Sequence, residues 1–105
     1  MTNTPLLVFD EVDVGIGGAT AEIVGNLLRE LGEHSQVLCV THQAQVAARG
    51  HQQLLVSKQL SKTSATTKFI LLDKKSRTRE LARMMGGKEL TESTLAHAAE
   101  ILETA

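Results

Sequence analysis

The segment LLVFDEVDVGIGG, residues 6–18, restricts the fold more than any other part of the 105-residue chain. Leu6, Leu7, Val8 and Phe9 follow Pro5 as an unbroken apolar run. The run is as short as a strand and lacks the alternation that one wet face would impose, so it predicts a strand buried on both faces, as in a parallel sheet. It leads directly into Asp10 and Glu11, with a third acid at Asp13 and glycines at Gly15, Gly17 and Gly18. A stiff strand holds the acids in place, while glycines beyond it let the backbone turn and approach a neighbour closely.

Further along, Ile23, Leu27, Leu28 and Leu31 recur at helical spacing and predict a helix over residues 19–33 with one apolar face, Gly32 lying near its end. Val37, Leu38, Cys39 and Val40 form a second buried strand ending at Thr41 and His42, and a short helix over 43–49 stops at Gly50. This alternation predicts an α/β fold built on a right-handed parallel unit. HQQLLVSK and TTKFILLD read as the arms of a hairpin, with a long, mobile loop at QLSKTSAT. Leu81, Met84 and Met85 share a helix face before Gly86 and Gly87, and Thr91 is placed to cap a last helix carrying Leu95, Ala98, Ala99 and Leu102.

Composition removes several functions. Two Phe and no Trp or Tyr leave no stacking platform for single-stranded nucleic acid. A formal net charge of -1 gives no global basic field, although Lys74, Lys75, Arg77, Arg79 and Arg83 form a local basic cluster. Such a cluster ordinarily reads as a solvated helix face. Cys39 is the sole cysteine, so no internal disulfide forms, which suits a reducing compartment. The N-terminal stretch has no basic leader and too short an apolar run for a signal peptide or membrane span, making the cytoplasm the simplest address.

Open parallel sheets gather ligands at the carboxyl ends of their strands, and here those ends deliver Asp10, Glu11 and His42. Adjacent side chains leave an extended backbone in different directions, so two neighbouring carboxylates can divide labour. One can hold magnesium, usually through its water shell, and the other can polarise a water for attack on a phosphoryl group. Such a base contributes roughly 10²–10⁴ in rate. The plain alternative is a strand that ends in solvent. GIGGAT does not complete the G-x-G-x-x-G of a dinucleotide site, and acids stand where pyrophosphate would approach. Cys39 and His42 have C-x-x-H spacing, but strand geometry points them apart and no second ligand pair is evident. His34, His51 and His97 read as surface or packing residues.

LLVFDE resembles a Walker B strand, and VLCVTH, one helix later, resembles the switch-histidine strand of ABC-type ATPases. With RELARMMGG and TLAHAAEIL added, residues 5–102 resemble the C-terminal end of bacterial DNA double-strand-break repair ATPases of the SMC/ABC-type P-loop family. The resemblance implies a partial P-loop sheet with parallel Walker B and switch strands, a following hairpin and C-terminal helices. It makes Asp10 the magnesium carboxylate, Glu11 the catalytic base and His42 the contact to the terminal phosphate. Residues 12–18 become the loop that meets a partner head, with Asp13, Gly15, Gly17 and Gly18 beside the nucleotide. Gly17 stands where SMC-type heads usually carry a second Asp.

ATP with Mg2+ would then lie between two heads of a homodimer whose complete protein handles DNA, in the cytoplasm at the nucleoid and not at a membrane. Neither G-x-x-x-x-G-K-[ST] nor an S-G-G-E signature occurs in the sequence. In the resembling family both precede this region, so the chain is expected to be the C-terminal portion of a head, truncated or separately encoded. Its partner would be the N-terminal half, whose Walker A strand inserts between the switch strand and the next strand. Alone, the chain is expected to be marginally stable, oligomeric or rearranged. A non-catalytic interaction module is the alternative, distinguished by whether ATPase activity appears only when a Walker A-bearing half is added.

Overall fold

A computed structural model describes residues 6–11, 14–86 and 90–104. The elements run β1 (Leu6–Asp10), α1 (Gly18–Gly32), β2 (Gln36–Val40), α2 (Ala44–Ala47), β3 (Leu54–Leu60), β4 (Ala65–Leu71), α3 (Lys74–Gly86) and α4 (Glu92–Glu103). β1 and β2 pair in parallel from Leu6↔Gln36 to Asp10↔Val40, with α1 as the crossover between them. β3 and β4 form a separate antiparallel sheet, from Leu54↔Leu71 to Leu60↔Ala65. The strand pair, crossover helix, hairpin and C-terminal helices thus follow the expected order, but among the described residues they form two sheets of two strands each.

The hairpin departs from expectation. Strands continue through the polar stretch, and only residues 61–64 turn: the Ser61 amide donates to the Ser64 carbonyl at 2.8 Å, and the Ser64 amide to Ser61 Oγ at 3.0 Å. Thr66 and Thr67 take rungs opposite Gln59 and Lys58, and β-branched residues suit an extended, exposed ladder. A tight turn therefore replaces the long loop.

The core sits on the helical side. Ala44, Ala48, Leu81, Ala82 and Ala98 are buried together, with Met84, Met85, Leu95, Ile101 and Leu102 packed against them. Thr91 caps α4 as expected, its Oγ1 accepting the Thr94 amide at 3.1 Å. Asp73 does the same for α3, its carboxylate accepting the Ser76 amide at 2.8 Å. Gly87 lies outside the described residues.

α1 packs through a different face from the one its large residues suggest. Ala21 and Gly25 are buried, whereas Ile23 and Leu27 are 60% and 61% exposed. The cause is close approach: a Cβ on Gly25 would stand 2.8 Å from Arg49 Cγ and 3.1 Å from the Gln45 carbonyl. α2 is also shorter than expected, four residues, and arginines take its terminal carbonyls. Arg29 Nη1 donates to the Arg49 carbonyl at 2.7 Å, and Arg77 Nη2 to those of Ala47 and Ala48 at 3.0 and 3.2 Å and to Gly50. Arg49 itself is buried, bonded to Glu22 at 3.0 Å and to the Thr104 carbonyl at 2.7 Å.

The doubly buried strands are not realised in this chain. Leu6, Val8, Leu38 and Val40 share one face of the β1–β2 sheet and are 45–60% exposed. Leu7, Phe9, Val37 and Cys39, on the opposite face, are half-buried. The radius of gyration, 14.9 Å, exceeds the roughly 13 Å of a closed domain of this length. The sequence carries the apolar residues of a sheet covered on both sides, while the described residues cover one.

Candidate functional site

The parallel register decides which side chains meet. Asp10↔Val40 is the last rung, and the Glu11 amide extends the ladder by donating to the Val40 carbonyl at 3.0 Å. Both strands therefore end together, placing Asp10 and Glu11 at the same sheet end as Thr41 and His42. Asp10, Glu11 and His42 are all exposed there.

Immediately afterwards the backbone turns. Glu11 adopts φ 54, in the left-handed region that a residue with a Cβ visits at a cost of about 1–2 kcal/mol. Its carbonyl accepts the Val14 amide at 3.3 Å. Gly15 follows at φ 80, the one glycine of this loop whose backbone conformation favours glycine. Gly17, extended at φ -78, is the N-cap of α1, and Gly18 begins the helix. A Cβ on Gly17 would meet nothing within 4 Å. Val12 and Asp13 lie outside the described residues, so the position expected for Asp13 has no geometric counterpart.

Gln43, which the sequence reading passed over, ties the two loops together. Its Nε2 donates to the Ile16 carbonyl at 3.1 Å across 27 residues, and its amide donates to Thr41 Oγ1 at 3.0 Å. The available signal was its place directly after His42.

The donor set suits a hard cation held lightly. Among the described residues no group of three or more His, Cys, Asp or Glu is gathered to hold a metal. Magnesium commonly takes one or two carboxylates and fills its octahedron with water and substrate phosphate oxygens. An exposed Asp10 at a strand end fits that share of the coordination.

Of the basic cluster of residues 74–83, Lys74, Lys75, Arg79 and Arg83 are exposed, as a solvated helix face requires, and Arg77 is the exception. Arg77 points inward, its Nε donating to Gln53 Oε1 at 3.1 Å. Burial, and secondarily the Arg29 charge, push its pKa below the ordinary arginine value. Arg83 is bonded to Glu80 through Nε at 2.9 and 3.0 Å, which raises its pKa. Lys74 stands 3.8 Å from Glu103, both exposed.

The fold resembles about half of a solved SMC ATPase chain: over 82% of this chain and 51% of the other, it superposes with a TM-score of 0.66 and 20% identity on a chain described for ATP-driven dimerization and DNA-stimulated activation of SMC ATPases. No protein-family model matches. Over almost its whole length the chain is a homologue of the DNA repair protein RecN. It is 58% identical over 100 residues to that protein of Vibrio cholerae, and 52% over 99 residues to that of Haemophilus influenzae, covering 95% and 94% of this chain. The Deinococcus radiodurans protein is 46% identical over 100 residues. The chain spans 18% of the length of each of these relatives.

Proposed function

We propose that the chain is the C-terminal portion of an SMC-like ATPase head, supplying the hydrolytic side of a nucleotide site whose phosphate-binding side lies in another segment. In this reading Asp10 holds Mg2+, Glu11 orients and deprotonates the attacking water, and His42 contacts the terminal phosphate. Asp13, Gly15, Gly17 and Gly18 line the nucleotide and the partner head. The observation that carries it is the shared end of β1 and β2, where the Asp10↔Val40 rung and the Glu11 amide on the Val40 carbonyl bring Asp10 and Glu11 alongside the turn bearing His42.

ATP bound with magnesium would supply the electrophilic phosphorus, and the chain's own residues perform separable tasks. Glu11 is a solvent-facing carboxylate at the end of a stiff strand, able to accept a proton from water without leaving its position. Glu11 is exposed at that strand end, which leaves its carboxylate open to a water. His42 offers an imidazole on the adjacent strand end as a hydrogen-bond donor to a phosphoryl oxygen. Hydrolysis would accompany head pairing in a homodimer and DNA break repair and recombination by the complete protein, in the bacterial cytoplasm at the nucleoid. No described helix is long and apolar enough to cross a membrane.

A second reading rests on the exposed apolar face of Leu6, Val8, Leu38 and Val40: the chain alone acts as an interaction module and becomes catalytic only when a Walker A-bearing half covers that face. One experiment addresses both. ATP turnover is measured for the chain alone, for the chain joined with such a half, and for the joined form carrying Glu11→Gln. Activity is expected only in the joined form, with Glu11→Gln retaining ATP binding and losing roughly 10²–10⁴ in turnover. Undiminished turnover in Glu11→Gln removes Glu11 from the role of base.

A further inference from the structure

The sequence contains no acidic residue between Glu33 and Asp73, and within that stretch Lys58, Lys62 and Lys68 all fall on the outer half of the β3–β4 hairpin. Every residue from 58 to 71 is exposed. The turn is also built to present its tip: Ser61 and Ser64 clamp across it through the Ser61 Oγ contacts to the Ser64 amide at 3.0 Å and the Ser64 Oγ at 2.9 Å. Lys62 and Thr63 stand at the apex of that clamp. Around the lysines lie Ser57, Thr63, Thr66 and Thr67, small hydroxyl groups that donate to phosphate oxygens without bulk.

We propose that this hairpin is a sequence-independent contact to the phosphate backbone of duplex nucleic acid. The register supplies the geometry. Lys58 lies opposite Thr67 and Lys68 opposite Ser57, on consecutive rungs. Side chains alternate faces along a strand, so the two lysines leave opposite faces of the ribbon at nearly the same height. A two-stranded ribbon fits a major groove about 12 Å wide, and one lysine on each face reaches one phosphate wall each. Lys62 at the apex reaches the groove floor edge or the next phosphate. Seven-residue strands project about 23 Å at roughly 3.3 Å per residue, long enough to stand clear of the helices.

An anionic bilayer is the competing surface, because Leu60 beside the tip is 84% exposed. A bilayer engages one face of a ribbon, whereas these lysines are divided between two. The choice of nucleic acid rests on the repair-protein reading above. It does not rest on Glu11 or on hydrolysis, so the loss of one leaves the other standing.

The test is fluorescence anisotropy of a labelled duplex of about 30 bp titrated with the chain from 50 to 200 mM salt. Lys58→Gln/Lys62→Gln/Lys68→Gln is compared with the corresponding three arginine replacements and with Lys75→Gln/Arg79→Gln, all first shown by circular dichroism to keep the fold. The expected result is a tenfold or greater weakening in the glutamine variant. Its salt slope should fall by about 2–3, since each phosphate contact contributes roughly 0.9. The arginine variant and the Lys75/Arg79 variant should bind as the parent does. The proposal is overturned by no duplex binding in the parent, by unchanged affinity in the glutamine variant, by the loss residing in Lys75 and Arg79, or by tighter lysine-dependent binding to phosphatidylserine vesicles than to duplex.

Discussion

The side-chain amide of Gln43 donates to the main-chain carbonyl of Ile16 at 3.1 Å, joining the turn after β2 to the glycine loop after β1. These are the two segments that flank the exposed carboxylates and His42. A neutral hydrogen bond contributes about 1 kcal/mol net, or roughly a fivefold change in a local opening equilibrium. Gln43→Met keeps the side chain's length without the donor, and Gln43→Glu sets a carboxylate against the carbonyl. Amide hydrogen exchange at residues 14–18 should accelerate about fivefold in the first and further in the second. Unchanged exchange in both would show that the loop is held by other contacts.

Glu11 offers a test in which chemistry and backbone separate. Its φ of 54 strains any residue with a Cβ, whatever the side chain carries. Glu11→Gly should therefore be more stable than Glu11→Ala by about 1 kcal/mol, against the ordinary penalty for glycine. Neither variant has a carboxylate, so neither should support turnover in the joined head. Urea unfolding of the pair gives the answer, and an alanine variant as stable as the glycine one would contradict the left-handed conformation.

Arg77 is the next case. Its guanidinium bonds the Ala47, Ala48 and Gly50 carbonyls and Gln53, drawing α3 onto the end of α2. Arg77→Met preserves the stem and leaves those acceptors without a charged donor. Hydrogen bonds to charged groups are worth roughly 1.5–3 kcal/mol, and the urea midpoint should fall accordingly. Arg79→Met, on the exposed side of α3, should change it little. Equal effects at the two positions would place Arg77 among the solvated charges.

Asp73 gives stability a pH dependence of known sign. The Ser76 amide bond lowers its pKa below the ordinary 3.8, with the Ser76 hydroxyl and Lys75 adding to the effect. A depressed carboxylate contributes stability that is complete above its unfolded value and lost as pH falls through the folded one. The melting temperature should thus drop between about pH 4 and the lower folded value. Asp73→Asn, which still caps without titrating, should flatten that part of the profile. A profile unaltered by Asp73→Asn would assign the acid sensitivity to other carboxylates.

The pairing of β1 with β2 and the caps of the last helix were readable because each rests on a local signal: an apolar run, or a threonine ahead of a periodic helix. The hairpin's true length was not. Lys58, Gln59, Thr66 and Thr67 are polar on both faces, and a ladder exposed on both sides leaves no apolar alternation to follow. Arg77 was hidden for the opposite reason, as a charge among charges. Its helical spacing to Leu81, Met84 and Met85 was the available clue that it shares their inward face. The strand-end trio of Asp10, Glu11 and His42 was legible because parallel pairing aligns strand ends. Gln43 was not, because a contact across 27 residues leaves no mark in local spacing.

Among the described residues, two sheets of two strands each leave every strand with an open side. Unpaired main-chain donors and acceptors recruit whatever extended chain comes near, including the same strand of another molecule. On β1 and β2 those open sides adjoin the uncovered row of Leu6, Val8, Leu38 and Val40, so mispairing would also bury apolar surface. Any segment that pairs with β1 or β2 first therefore also withdraws that row from water, so strand pairing and apolar burial are decided in one event.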